Sequence, residues 1–372
     1  MRIVVDGRLW NESGLGRYIR NLILQLQELD NVDEYFVLHL QKDFDRINYT
    51  NPKFHKILVD VKWYGVSEQI KLPKIIKSLN PDLVHFPHFN VPIFYKGKFV
   101  VTIHDLIHQH FQTRSTTTLN PLLHTVKKAV YKKIFSHAVK KSFQIIVPSE
   151  FIKNQLISEW DVAENKISVT YEGVEETIVN LVKNVKDEDF KELAVKFEIR
   201  KPYLFYVGNA QPHKNLSNLI NVFVRLKDKY PDLALVLSGP DHYFWQKLKT
   251  TTLAKHVIFT RFISDQDLVT LYKNAEMFVM PSLEEGFGIP ILEAMACDCP
   301  VVSSNTASLP EVGGSAAIYF DPQNENDMAG KITKVIDNEK LRKELISRGR
   351  KRYKVFSWQK MAEQTLEIYQ KS

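Results

Sequence analysis

At 372 residues, 44% hydrophobic and 25% charged, the chain is too long for one compact core and suits two domains. Its longest apolar runs, such as Phe99 to Ile103 and Gln144 to Pro148, fall far short of the roughly 18 residues a membrane span requires, and the N-terminus enters a strand directly without the apolar core of a signal peptide; a cytoplasmic chain is expected. The net charge of +7 is concentrated in residues 51–150, where 15 Lys and Arg face 5 Asp and Glu, a stretch suited to phosphorylated substrates or an anionic surface; no nucleic-acid motif accompanies it, so nucleic acid is not expected as a partner.

Short β-branched or aromatic runs alternate with longer segments of helical period, the signature of βαβ units and parallel sheets. Strands are expected near 2–6, 35–40, 56–60, 83–87, 99–103 and 144–148. Between the first two, Tyr18, Ile19, Leu22, Ile23, Leu26 and Leu29 form the apolar stripe of a helix over 16–29. The pattern loosens into the charged run Lys183 to Asp189, and then repeats with strands near 203–207, 233–237, 256–260, 277–280, 300–303 and 316–320. The expected fold is α/β, with two doubly wound parallel-sheet domains at 1–175 and 176–356 and a C-terminal helix over 357–372 crossing back to the first. Ligands of such sheets bind beyond the carboxyl ends of the strands, which places the chemistry in a cleft between the domains. Cys297 and Cys299 are too few for a disulfide framework or a structural zinc site and read as reduced packing residues.

Two loops could hold phosphate at a helix start. Gly14-Leu-Gly16 leads into the first helix, whose amides and positive dipole end would face an anion, although a structural turn explains two glycines equally well. After the strand at 203–207, Pro212-His-Lys-Asn215 places Lys214 just ahead of a helix that Asn215 would cap. A lysine there is poorly placed for the dipole, and a bound phosphate would account for it; a solvated loop lysine is the other reading. The most specific stretch is Pro281 to Ala296, a Gly-containing turn followed by a helix with Pro290 in its first turn, where Glu285 and Glu293 stand eight residues apart.

Glu285-Gly-Phe-Gly-Ile-Pro290, Glu293-Ala-Met295, Pro300-Val-Val-Ser303, Leu309-Pro-Glu311, Pro212-His-Lys-Asn215 and Gly14-Leu-Gly16 together resemble the retaining glycosyltransferases of family 4, of the bacterial polysaccharide or lipopolysaccharide type, over nearly the whole chain. The resemblance implies the GT-B architecture, two Rossmann-like domains facing across a cleft with the donor held mainly by the second. It implies that Glu293 accepts hydrogen bonds from the donor ribose, that Glu285 and the amides of Phe287, Gly288 and Ile289 contact the transferred sugar and diphosphate, that Gly14 and Gly16 belong to the donor site, and that Lys214 neutralises the leaving phosphate. His104, at the end of the strand over 99–103, reads by itself as a structural histidine; by resemblance it approaches the donor sugar. Many members carry an arginine near the lysine where this chain has Asn209 and His213, so these two positions join the donor-binding set, and a protonated His213 or Arg17 is a candidate for the missing cation.

Asp43-Phe-Asp45, Asp187-Glu-Asp189 and Asp265-Gln-Asp267 sit in polar loops or at helix caps, and His104, His108 and His110 have no accompanying Cys or Glu-bearing helix, so no metal and no cofactor are expected. His85 and His88 close another strand and are candidates for the acceptor side. From His124 to Phe143, Lys127, Lys128, Lys132, Lys133, Lys140 and Lys141 alternate with Val126, Val130, Ile134, Ala138 and Val139, either a basic amphipathic surface for an anionic membrane or a surface helix with its apolar stripe in the core. The resemblance tips this towards peripheral attachment at the inner face of the membrane. The expected activity is transfer of a hexosyl group, mannosyl from GDP-mannose being the leading candidate, from a nucleotide-sugar donor to a glycan or lipid-linked acceptor with retention. The alternatives are a glycan phosphorylase or sugar-nucleotide epimerase on the same fold, or a non-catalytic donor-binding partner subunit.

Overall fold

The computed structural model describes residues 1–111, 121–241 and 243–372, with backbone alone at 121–128 and Thr252. These residues form two compact units: 1–106, 121–172 and 357–372 make the first, 107–111 and 173–356 the second.

The first unit is built on seven parallel strands, β1 (Arg2–Asp6), β2 (Glu34–His39), β3 (Phe54–Leu58), β4 (Leu83–Phe86), β5 (Phe99–Thr102), β6 (Gln144–Val147) and β7 (Ile167–Val169), in the order β3-β2-β1-β4-β5-β6-β7. Helices cover both faces of a parallel sheet, so its central strands run apolar without alternation; all four residues of β5 are buried. The helix Ser13–Leu29 begins three residues earlier than its apolar period suggests and buries Tyr18, Ile19, Leu22, Ile23 and Leu26. Each such side chain contributes about 1.5–3 kcal/mol on burial. The last helix, Trp358–Gln370, belongs to this unit: Trp358 meets Tyr18 edge-on with ring centroids 6.4 Å apart, and Tyr369 is fully buried.

The second unit carries six parallel strands, β8 (Tyr203–Val207), β9 (Ala234–Ser238), β10 (Ile258–Arg261), β11 (Met277–Met280), β12 (Val301–Ser304) and β13 (Ala317–Phe320), in the order β10-β9-β8-β11-β12-β13. In both sheets the chain first winds outward to one side and then returns to the other side of its first strand. That reversal leaves a switch point between β1 and β4 and another between β8 and β11, where a crevice opens beyond the strand ends.

Within the basic helix Pro121–Lys141, Ile134, Phe135, Ala138 and Val139 are buried in the core of the first unit, while Lys132, Lys133, Lys140 and Lys141 are exposed. The apolar stripe of this part is therefore used internally and is not spare for lipid; Val130, half exposed, is the exception. His124, Val126, Lys127 and Lys128 lie outside the described side chains. No helix among the described residues is long and apolar enough to cross a membrane. Cys297 and Cys299 are free and buried, and burial pushes both thiols far above their ordinary range.

Candidate active site

At the switch point of the second unit, two loops meet. After β8, the chain makes a single tight turn at Pro212–Lys214 and enters the helix Leu216–Leu226 through Asn215, which adopts a left-handed conformation at φ 58°. Asn215 is not the side-chain cap expected of it: its amide donates to the carbonyls of Pro281 (3.1 Å) and Pro322 (2.8 Å), fastening this loop to those after β11 and β13. The backbone N–H of Leu283 donates to the His213 carbonyl at 2.7 Å and completes the seam.

This fastening brings Lys214 onto Glu285. The ammonium lies 2.7 and 2.8 Å from the two carboxylate oxygens, and Ser282 Oγ donates to the same carboxylate at 2.6 Å. Burial raises the Glu285 pKa, but the charge of Lys214 and the hydrogen bonds from Lys214 and Ser282 together hold it below its ordinary value, so the carboxylate is ionised near neutrality. His213 does not supply a second cation: burial and the adjacent Lys214 charge lower its pKa to about 4, so it is neutral near pH 7. Asn209 is committed locally, its side-chain oxygen accepting from Gln211 N–H at 3.1 Å and its carbonyl from Tyr206 OH at 2.8 Å.

The turn that follows is clamped from behind. The hydroxyl of Ser308, fully buried, lies 2.9 Å from the Glu285 carbonyl and 2.8 Å from that of Phe287, holding both oxygens away from the turn's other side. Gly288 then caps the helix Ile289–Ala296 at φ 109°, a conformation open to glycine, and a Cβ there would stand 2.7 Å from Leu309. Phe287 is buried edge-on against Phe356. Glu293 is 2% exposed on the inner side of this helix, where Tyr272 OH donates to it at 3.2 Å. Residues 107–111, early in the chain, also pack on this unit: His110 Nδ1 is 2.8 Å from both Glu284 oxygens, and Phe111 lies 5.7 Å from the His213 ring.

In the first unit, His104 lies two residues beyond β5 with Nε2 3.0 Å from the Pro87 carbonyl, Nδ1 3.3 Å from Glu172, and Tyr18 edge-on at 4.7 Å. His85 is no acceptor residue. It is fully buried between Tyr369 OH (2.5 Å) and Thr102 Oγ1 (2.8 Å), and burial lowers its pKa to about 3, so it is a neutral core group. His88 is half buried two residues beyond β4, its ring tilted against Phe89 with centroids 4.0 Å apart. Gly14 and Gly16 fall inside the first turn of the helix Ser13–Leu29 and not in a preceding loop. The contacts of Ser308 and His110 carry no signal in the sequence, because they join residues 23 and 174 positions apart, whereas Ser282 meets Glu285 within the stretch from Pro281 to Ala296.

The family described as Glycosyltransferase Family 4 matches residues 13–177, and that described as Glycosyl transferases group 1 matches residues 187–352. The chain belongs to these glycosyltransferases. It is 26% identical to the O-antigen chain mannosyltransferase B of Escherichia coli over 96% of both chains, and 25% identical to the O-antigen chain mannosyltransferase RfbU of Salmonella typhimurium over 87% of both. Among solved structures, a glycosyltransferase from Rickettsia africae superposes with a TM-score of 0.75 at 19% identity, covering 100% of this chain and 98% of that one, and shares the fold. The glycosyltransferase is therefore a sugar-transferring enzyme with the two parallel-sheet units of the GT-B class.

Proposed function

We propose that the enzyme transfers a mannosyl group from GDP-mannose to a glycan or lipid-linked saccharide with retention of configuration, and that it does so without a metal. The observation that carries this reading is the Lys214–Glu285 pair at the switch point of the second sheet, with each side chain still partly open to solvent, at 13% and 9% exposure. The choice of mannose rests on the names of the curated relatives.

Departure of a nucleoside diphosphate builds negative charge, and a fixed ammonium near that charge stabilises the transition state more than the ground state. Lys214 is matched by one carboxylate, which an incoming diphosphate can replace. Glu285, kept ionised, then accepts from hydroxyls of the transferred sugar. The Ser308 clamp fixes the path of residues 285–287, so the amides of Phe287, Gly288 and Ile289 at the helix start provide further donors. Glu293 accepts from the donor ribose, and His104 approaches the donor sugar. The acceptor hydroxyl attacks from the face the nucleotide leaves, and its proton passes to a donor phosphate oxygen.

Thermal shift with GDP, UDP, ADP and their sugars tests the donor: the guanine nucleotides are expected to raise the melting temperature most, and a larger shift with UDP overturns GDP-mannose. NMR of the product tests the stereochemistry, since an anomer opposite to that of the donor excludes retention.

The same reading includes salt-sensitive contact with an anionic membrane through the 124–143 helix. Because its described apolar stripe is buried, this contact rests on the exposed Lys132, Lys133, Lys140 and Lys141, each contributing up to about 1 kcal/mol near an anionic surface. Flotation with liposomes containing anionic lipid should recover the native chain and lose the variant with these four lysines changed to Gln; equal recovery of both removes the proposal.

A further inference from the structure

The switch point of the first sheet holds a recess with its own chemistry. Asp6 is the last residue of β1, and Pro87, His88 and Asn90 follow β4; Arg8 and Trp63 complete the walls. The space within is about 10 Å³, room for one water or one hydroxyl group.

The floor of the recess is a buried charge network. Arg8, 2% exposed, donates through Nε to Asp6 Oδ1 (2.8 Å), through Nη2 to Asp6 Oδ2 and Glu68 Oε1 (both 2.7 Å), and through Nη1 to the Val61 carbonyl (2.8 Å). Glu68, with no exposure, also accepts from Tyr64 N–H at 2.8 Å and from the Asn90 amide at 2.9 and 2.8 Å. Every partner of this carboxylate is a donor, which fixes the orientation of Asn90: its NH₂ must face Glu68, so its oxygen must face away. That oxygen, Asn90 Oδ1, is buried and has no hydrogen-bond partner among the described residues. A buried ion pair is a weak source of stability, and this one holds a single acceptor rigidly at the strand ends where ligands of such sheets bind.

Asn90, whose oxygen is buried and unpartnered, and the partly exposed Asp6 carboxylate thus stand in the lining of the recess beside Trp63, and the space asks for a donor the size of a hydroxyl. We infer that it seats one hydroxyl of the acceptor saccharide, which donates to Asn90 Oδ1 while the sugar ring lies against Trp63. This rests on the reading that the acceptor is a saccharide. His88 lines the same recess, with Nδ1 accepting from Asn90 N–H at 3.3 Å, and so belongs to the acceptor site through the path of its loop.

The test is kinetic, with GDP-mannose as donor and octyl α-mannoside, octyl glucoside and octyl galactoside as acceptors, together with monodeoxy forms of the best of them. Asn90→Ala should raise the acceptor KM about tenfold or more and leave the donor KM and the rate of donor hydrolysis by water unchanged. Trp63→Ala, which leaves the Arg8–Glu68 network intact, should do the same and covers the case in which Asn90→Ala fails to fold. One monodeoxy acceptor should lose as much as Asn90→Ala does with the native enzyme, and lose nothing further in the variant. Unchanged acceptor KM in both variants means a recess for water only and overturns the inference, as does an equal fall in donor hydrolysis. Failure of the native enzyme to transfer to any saccharide overturns the functional reading itself.

Discussion

Each sheet presents a basic residue near its switch point, and the two are held in different ways. Arg8 in the first unit is 2% exposed and answered by two carboxylates, Asp6 and Glu68, with a carbonyl besides. Lys214 in the second is 13% exposed and answered by one, Glu285. Burial works against the charge of Arg8, yet Asp6 and Glu68 carry its pKa further above its ordinary range, while burial holds the Glu68 carboxyl above its own; Arg8 is a fixed cation already paired. An anionic ligand gains nothing there. A lysine matched one to one, on a flexible stem, can exchange its carboxylate for a phosphate. The number of carboxylates around a cation, and its access to water, separate a structural charge from one that waits for a substrate.

Substitution at the two cations tests that contrast most strongly. Arg8→Met leaves Asp6 and Glu68 facing each other without a counter-charge, and should cost the fold about 3–5 kcal/mol, read as a fall in the urea midpoint. Lys214→Ala should instead lower turnover about 10²–10³-fold, read in steady-state kinetics at saturating donor. Its effect on stability should be smaller and pH-dependent. The native Glu285 pKa is depressed, so the pairing stabilises above the ordinary carboxylate range and is lost as the pH falls through the folded value; without Lys214, burial raises that pKa and the carboxyl takes up a proton. Equal loss of turnover and stability in both variants would erase the distinction.

The strands of the second unit were legible within a residue or two because fully buried parallel strands read as short apolar runs, as Met277–Met280 does. The seventh strand of the first sheet, Ile167–Val169, was not, being three residues long at a sheet edge. Lys214 is legible from its place ahead of a helix start and Glu285 from the turn before the next helix, with their roles implied by the family resemblance; their contact, between residues 71 apart, depends on Asn215 taking a left-handed turn and bonding to two distant carbonyls, which no local propensity announces. For His85 position near a strand end does not imply access, because a strand buried on both faces has no side that favours a ligand. Arg8, Glu68 and Asn90 are silent in the sequence for a related reason: they stand 60 and 22 residues apart, and isolated polar residues in a sequence show no sign that they share a site.

The smallest expected effects lie at the helix start of the first unit, where two glycines two residues apart are under different constraints. At Gly16 a Cβ would stand 2.3 Å from the Trp10 carbonyl oxygen, a backbone atom that cannot step aside, so Gly16→Ala should destabilise the unit by about 1–3 kcal/mol. At Gly14, exposed in the first turn of the same helix, a Cβ would meet nothing within 4 Å. Gly14→Ala should therefore leave the fold unharmed or stabilise it by up to about 1 kcal/mol, through the lower entropy cost of alanine in a helix. That makes it a clean probe of the donor role which family resemblance assigns to this residue. Since the protein itself has room for the methyl group, a raised donor KM in a variant of undiminished stability points to a ligand that approaches the backbone at Gly14. An unchanged donor KM would make Gly14 a helix start and nothing more, leaving the Lys214–Glu285 side of the enzyme to hold the diphosphate.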